Sequence, residues 1–349
     1  MRQRANTRRL LDDRRGFSLP EVLIAVAILL IISGTVTSGI MQVVNSFRTI
    51  TNRTALHAGV RSATEVLQQE VGQAGRVALP GTATLGAAVT AGARTVGVNQ
   101  VISGSTCSSN GTAVACVSGI FAGEWLAIDS GSIRETIQVT SVDTTNKTIT
   151  ATFANAHASG ATVTTLGGFS SGIVPPQYYN GTSWVTYPNG SDGSHLKLFG
   201  DINGDGKMVY VEYTCDTTTT GNLYRNVMDF DASSKPALTN SHVLLRNVTT
   251  NPGGTACFTY MPSPLSYVTG VTDAGCSCTQ SFVLDVAITL TVNTQLTDPI
   301  TRHVQTETKA LLNVSPRNVF QVWQLAATNL SQNNDRLQPM PNSVKLLLP

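Results

Sequence analysis

Between residues 17 and 47 the chain carries a single formal charge, Glu21, and residues 22–32 are apolar without interruption. At about 1.5 Å of rise per residue, a helix over residues 21–44 crosses a hydrocarbon layer of about 30 Å. This segment can span a bilayer, and that possibility constrains everything that follows it. Ahead of it, Arg2, Arg4, Arg8, Arg9, Arg14 and Arg15 stand against Asp12 and Asp13, a local balance of +4. Such a cluster stays cytoplasmic, which sends the chain after residue 45 across the membrane. The whole chain is only +2, so residues 17–349 sum to −2. The basic character belongs to the first sixteen residues, and the body lacks the electrostatic footprint of a general nucleic-acid binder.

A secretory signal peptide also pairs a basic start with an apolar run, but it is removed at a small-residue site behind that run. Here residues 33–39 read Ser-Gly-Thr-Val-Thr-Ser-Gly, without that signal, and apolar Ile40, Met41, Val43 and Val44 follow. The small residue comes before the run instead, in Arg14-Arg15-Gly16-Phe17-Ser18-Leu19-Pro20-Glu21. This junction resembles that of type IV prepilins. The resemblance implies cleavage by a prepilin peptidase between Gly16 and Phe17, methylation of the new amine on Phe17, and an assembly role for Glu21. An ionised carboxylate just inside an apolar layer is costly unless it finds a partner. In the family's assembly the Glu of an incoming subunit meets the N-terminal amine of its neighbour, so the charge favours the filament. A simpler alternative is that Glu21 completes a capping box with Ser18, with Pro20 in the first helical turn.

Leu56, Val60, Ala63, Leu67, Val71 and Ala74 recur at three- and four-residue steps, predicting an amphipathic helix that continues to about Gly75. Residues 33–39 are its weakest helical part, and the sequence leaves open whether they loosen or pack as small residues. Residues 76–95, rich in Gly, Ala and Thr, read as a linker or meander. Short β-branched runs at 98–102, 124–128, 135–142, 148–153 and 162–166 predict a small all-β module over 96–168. Further strands are expected at 207–214, 222–228, 242–249, 255–260, 282–293 and 302–313 within a β-domain spanning 169–318. Val286, Ile288, Leu290 and Val292 alternate with smaller residues, as in a half-buried antiparallel strand. Residues 319–349 read as a short helix and a loose tail.

Six cysteines, Cys107, Cys116, Cys215, Cys257, Cys276 and Cys278, all lie beyond the apolar segment, which fits an oxidising compartment. Cys107 and Cys116 flank the turn signal Asn110-Gly111 and are expected to close a hairpin; the remaining pairings stay open. Residues 201–212 match the pattern D-x-[DN]-x-[DN]-G-x5-E. Asp201, Asn203 and Asp205 can aim oxygens at a calcium ion, with the Lys207 carbonyl and Glu212 as further candidates. Extended sequence flanks this loop, so a paired-helix EF-hand is not expected, and an Asp/Asn/Gly hairpin turn uses the same residue types. Gly168-Phe169-Ser170-Ser171-Gly172 fits a nucleophile-elbow pattern, but Pro175-Pro176 forbids the helix that must follow, so no enzymatic role is assigned.

Three stretches (Glu70 to Gly75, the Asp-Gly loop after Asp201, and Asn313 to Asn318) resemble the PilW-like minor pilins over the first 80 residues and roughly 195–320. The resemblance implies an α+β type IV pilin fold, with leader 1–16, membrane helix 17–45, amphipathic helix 46–75 and an antiparallel sheet. It implies membrane lipid, other major and minor pilins and the inner-membrane assembly platform as partners. It implies the inner membrane as the location before assembly, and the periplasm and extracellular pilus afterwards. A type II secretion pseudopilin shares this architecture. A signal-anchored calcium-binding adhesin or enzyme is the rival of a different class.

Overall fold

The computed structural model describes residues 16–103, 107–109, 111–261, 266–272, 279–327 and 335–346. One uninterrupted helix, α1, occupies Leu19–Gln73. Its only proline, Pro20, sits in the first turn, where a missing N–H is harmless. Residues 33–39 are helical like their neighbours, and Thr35 returns its hydroxyl to the Ile32 carbonyl at 2.8 Å. In the single chain the helix is therefore continuous across this stretch. Every residue from 16 to 44 is exposed, so the most apolar half of the helix is the half that packs on nothing among the described residues.

From Leu56 onward the predicted stripe is buried at every position: Leu56, Val60, Ala63, Leu67, Val71 and Ala74. It packs on two antiparallel sheets. One has the order His195–Gly200, Val209–Asp216, Asn222–Asp229 and Val243–Arg246. In the other, Asp285–Asn293 is central, flanked on one side by Val248–Thr249 and Phe258–Met261 and on the other by Thr306–Val314. The alternating Val286, Ile288, Leu290 and Val292 join the helix stripe in one core with Leu198, Val211 and Leu223. A second helix, α2, covers Arg317–Ala327.

Between α1 and these sheets the chain builds a separate sheet with its own core. Six strands pair in a ring: Thr82–Leu85, Thr162–Thr165, Trp125–Ile128, Glu135–Asp143, Thr148–Phe153 and Gly92–Val101, which pairs back to Thr82–Leu85. Ring closure removes the free edges that invite aggregation. Inward positions alternate along each strand, as in Leu126 and Ile128, Ile137 and Val139, and Ile149, Ala151 and Phe153. The hairpin of Ser108–Ser109 and Thr112–Ala115 extends from the long second strand.

Two expectations are corrected. Residues 76–95 are not a linker, because Thr82–Leu85 and the start of Gly92–Val101 are ring strands. Their small residues give little local strand signal, and partners distant in sequence decide the outcome. Nor are residues 335–346 of the expected tail loose: Leu337–Gln338 pairs in parallel with Gly168–Phe169, and Leu337, Gln338, Met340 and Val344 are buried. The Gln338 amide accepts from Trp125 N at 2.7 Å and donates to the Trp125 and Leu166 carbonyls at 2.8 and 2.6 Å. It thereby ties the tail to two neighbouring ring strands, Trp125–Ile128 and Thr162–Thr165, where they end side by side. Residues 177–179 and 184–186 pair as a short hairpin.

The helix stripe contains one acid, Glu70, in its last turns. Its carboxylate accepts the Tyr213 hydroxyl and both Nε (3.0 and 3.1 Å) and Nη2 of Arg225. Tyr213 and Arg225 are direct cross-strand partners, so a single glutamate grips two strands at once. Burial and the Glu70 charge push the Tyr213 phenol well above its usual range. Burial disfavours the Arg225 charge, but its bonds to Glu70 outweigh this and hold the guanidinium above its ordinary value. Removing one member of a buried pair strands the other. Glu70→Ala is expected to lower unfolding free energy by about 3 kcal/mol, the low end for a buried pair because Arg225 keeps some solvent contact. Urea unfolding of the mature protein in detergent reads this, and Glu70→Gln, which keeps an acceptor, should lose less.

Candidate functional site

Phe17 lies immediately ahead of the helix, and both it and Gly16 are exposed. A Cβ at Gly16 would meet nothing within 4 Å, so the fold of this chain does not require glycine there. Any requirement for a small residue belongs to whatever acts on the junction. Ser18 is the N-cap, in extended conformation, and its carbonyl accepts Val22 N at 3.1 Å. Its side chain makes no capping bond. The capping-box alternative for Glu21 therefore fails on geometry, and Glu21 stands exposed in the first turn among apolar side chains.

The family model for the prokaryotic N-terminal methylation motif matches residues 11–37. The chain carries a prepilin-type N-terminal motif. That match spans Gly16, Phe17 and Glu21 and supports a type IV pilin or pseudopilin kind of protein, processed by a prepilin peptidase and assembled with other pilins. The apolar helix behind the motif is consistent with membrane anchoring before assembly. No curated protein and no solved structure matches the chain.

At the other end of α1 the three later motif stretches converge. Gly75 adopts φ +86°, and its N–H donates to the Phe199 carbonyl at 2.9 Å. A Cβ there would lie 2.5 Å from Val319 Cγ2 and 3.2 Å from Gly172 Cα, so the close approach as well as the backbone angle calls for glycine. Asn318 Nδ2 donates to the Gln73 carbonyl at 2.9 Å. Asp201 N donates to the Arg76 carbonyl at 2.8 Å. Residues 70–75, 201–206 and 313–318 are thus one joint, which seats the end of the helix.

The Asp201 loop belongs to that joint. Asp201 is fully buried, and its Oδ1 accepts Gly206 N at 3.3 Å. Its Oδ2 takes no hydrogen bond but lies 3.4 Å from Arg76 Nε, an off-axis ionic contact. Asn203, Asp205 and Lys207 are exposed, and Asp205 Oδ1 accepts Lys207 N at 2.9 Å. The sequence-predicted oxygens thus divide between a buried Asp201 carboxylate facing Arg76 and the exposed Asn203, Asp205 and Lys207 of the turn beside it. Glu212 does not fit: its Oε2 accepts Lys235 Nζ at 2.8 Å and the Tyr210 hydroxyl at 3.0 Å. That glutamate lies on a strand, where rigid pairing fixes its direction away from the turn. Among the described residues no group of three or more His, Cys, Asp or Glu is placed to hold a metal ion.

Cys107 and Cys116 are bonded across the expected hairpin, and Cys215 is bonded to Cys257, a pairing the sequence left open. The second bond closes a long loop and joins two sheets, worth about 4 kcal/mol in the chain-entropy account. Cys276 and Cys278 lie outside the described residues. In the elbow-like segment, Ser170 Oγ is buried without a hydrogen bond and Ser171 donates to the Ile173 carbonyl. Two buried groups carry no sequence signal. His157 sits between Asp129 (3.2 Å) and Glu135 (2.9 Å), stapling the ring. Burial pushes the Glu124 carboxyl well above its ordinary range, against the one Phe121 N–H that favours its charge. Intact mass of the mature protein is the direct check on the junction: the N-terminus should be N-methyl-Phe17. Gly16→Leu should leave the full-length mass unprocessed.

Proposed function

We propose that the chain is a minor type IV pilin, stored in the inner membrane with its N-terminus cytoplasmic and incorporated sparsely in the pilus. The reading covers assembly initiation or the fibre tip, in support of adhesion, twitching or DNA uptake. The observation that carries it is the pairing of the methylation motif with an exposed helix half bearing one acid, Glu21. Cleavage generates an amine at Phe17, and Glu21 of an incoming subunit finds in it the partner that lipid denies. The charge therefore favours the assembled state. The body is far bulkier than one helix and one small sheet, which suits a sparse position better than a repeating shaft, where bulk must fit at every subunit. A pseudopilin of type II secretion would use the same junction and helix. Glu21→Ala should leave peptidase processing and membrane insertion intact while lowering recovery in sheared fibres at least about tenfold, the equivalent of about 1.4 kcal/mol. Unchanged recovery in immunoblots of those fibres would sink the assembly role.

Calcium is part of the same proposal, held by Asp201, Asn203, Asp205 and the Lys207 carbonyl without Glu212. Bound there, it would brace the turn that seats the end of α1 against the sheet. A ligand that binds only the folded state raises apparent stability. Calcium should therefore raise the Tm of the wild type by a few degrees, and Asp201→Asn should abolish the increment. Glu212→Gln should lower Tm yet keep the calcium-dependent rise.

A further inference from the structure

Three contacts align the hairpin of Asp285–Asn293 and Thr306–Val314 along α1. His57 Nδ1 stands 2.5 Å from Glu307 Oε2, Arg53 Nε donates to Gln305 Oε1 at 2.6 Å, and Thr49 Oγ1 donates to Asp298 Oδ1 at 3.1 Å. Thr49, Arg53 and His57 follow one another at four-residue steps on one helix face, and their partners run down the hairpin in order. The tip, residues 294–305, therefore points toward the apolar end of the helix. Asp298 is the hub of that tip. It accepts Ile300 N at 2.7 Å, Thr301 N at 3.2 Å and the Gln305 amide as well as Thr49. So secured, the tip turns Leu296 and Ile300 outward, 60% and 61% exposed, with Val304 exposed beside them. Phe47 and Ile50 of α1 are exposed at the same level.

Resting on the membrane-stored reading above, we propose that this tip is a second lipid contact, seated in the headgroup layer of an anionic bilayer while the subunit awaits assembly. Thr49 is five residues past Val44, the last apolar residue of the spanning run, or about 7.5 Å along the axis. The headgroup layer on each side is about 5–8 Å deep, so a tip that extends beyond Thr49 toward the apolar end enters it. Charge agrees: Arg48, Arg53 and Arg302 are exposed around the tip, while its only acid, Asp298, is buried under its own hydrogen bonds. Apolar residues ringed by arginine at that depth suit an interface with anionic lipid.

The test uses the full chain in vesicles of phosphatidylglycerol and phosphatidylcholine with brominated acyl chains. Leu296→Trp and Ile300→Trp are compared with Leu238→Trp, an exposed position on a different loop, beside the Asn222–Asp229 strand. The tryptophan added at 296 or 300 should emit to the blue and be quenched roughly twofold or more, with less quenching when phosphatidylglycerol is left out. The one added at 238 should be unaffected, and all three variants should keep the wild-type Tm. Equal emission and quenching at all three positions would overturn the proposal, as would crosslinking of position 300 to a second copy without any lipid quenching. Co-flotation that resists carbonate reports anchoring separately: a chain stripped from the vesicles would overturn the membrane-stored reading and this contact together.

Discussion

The fold depends on how one helix is divided. Its first half packs on nothing among the described residues, and its second half is clamped to the sheet by an apolar stripe and by Glu70. Hydrophobic burial along the stripe is non-directional and would tolerate sliding or rotation of the helix. The Glu70 carboxylate removes that freedom, because it must meet a hydroxyl and a guanidinium that strand pairing holds side by side. Fixing the angle and depth of the second half fixes where the first half leaves the body.

The joint at the helix end follows from that clamp. The chain must turn sharply after Gln73, and Gly75 does so in a space too tight for a side chain. The Asp201 turn and the Asn313 to Asn318 corner close over it from two other parts of the chain. Just beyond, the Gly75 carbonyl accepts Phe169 N at 2.9 Å and Arg76 pairs with Gly168, so the chain enters and leaves the six-stranded ring at one place. The ring can therefore be large and self-contained without disturbing the helix and sheet below it. Its own core and closed edges let it stand in solvent, with the Cys107–Cys116 bond securing the hairpin that projects from it.

The other end of the helix carries few charges, and each has a distinct environment. Glu21 is exposed on an apolar rod; in the proposed reading, lipid leaves that charge without a partner until another subunit supplies one. Farther along, at Thr49, the Asp298 hub holds a second exposed apolar surface. In the proposed reading the two features meet the same physical boundary, one within the hydrocarbon and one at its edge.

Much of this was legible in the residues. The apolar run, the Gly16-Phe17 junction, the helix stripe and the alternation from Val286 to Val292 are local periodicities, and local geometry sets them whatever the rest of the chain does. The closed ring was less legible, because the weak strands around 82–101 owe their form to partners elsewhere in the chain. So were the Cys215–Cys257 bond, the tail held by Gln338, the His157 staple and the diversion of Glu212 from the Asp201 turn to Lys235 and Tyr210. Residue order alone sets which parts are apolar and with what period, and therefore that a helix leads and strands follow. Which polar side chains meet is settled in the folded chain, because contacts between distant residues depend on how the strands are ordered and registered, and no short stretch of residues encodes that.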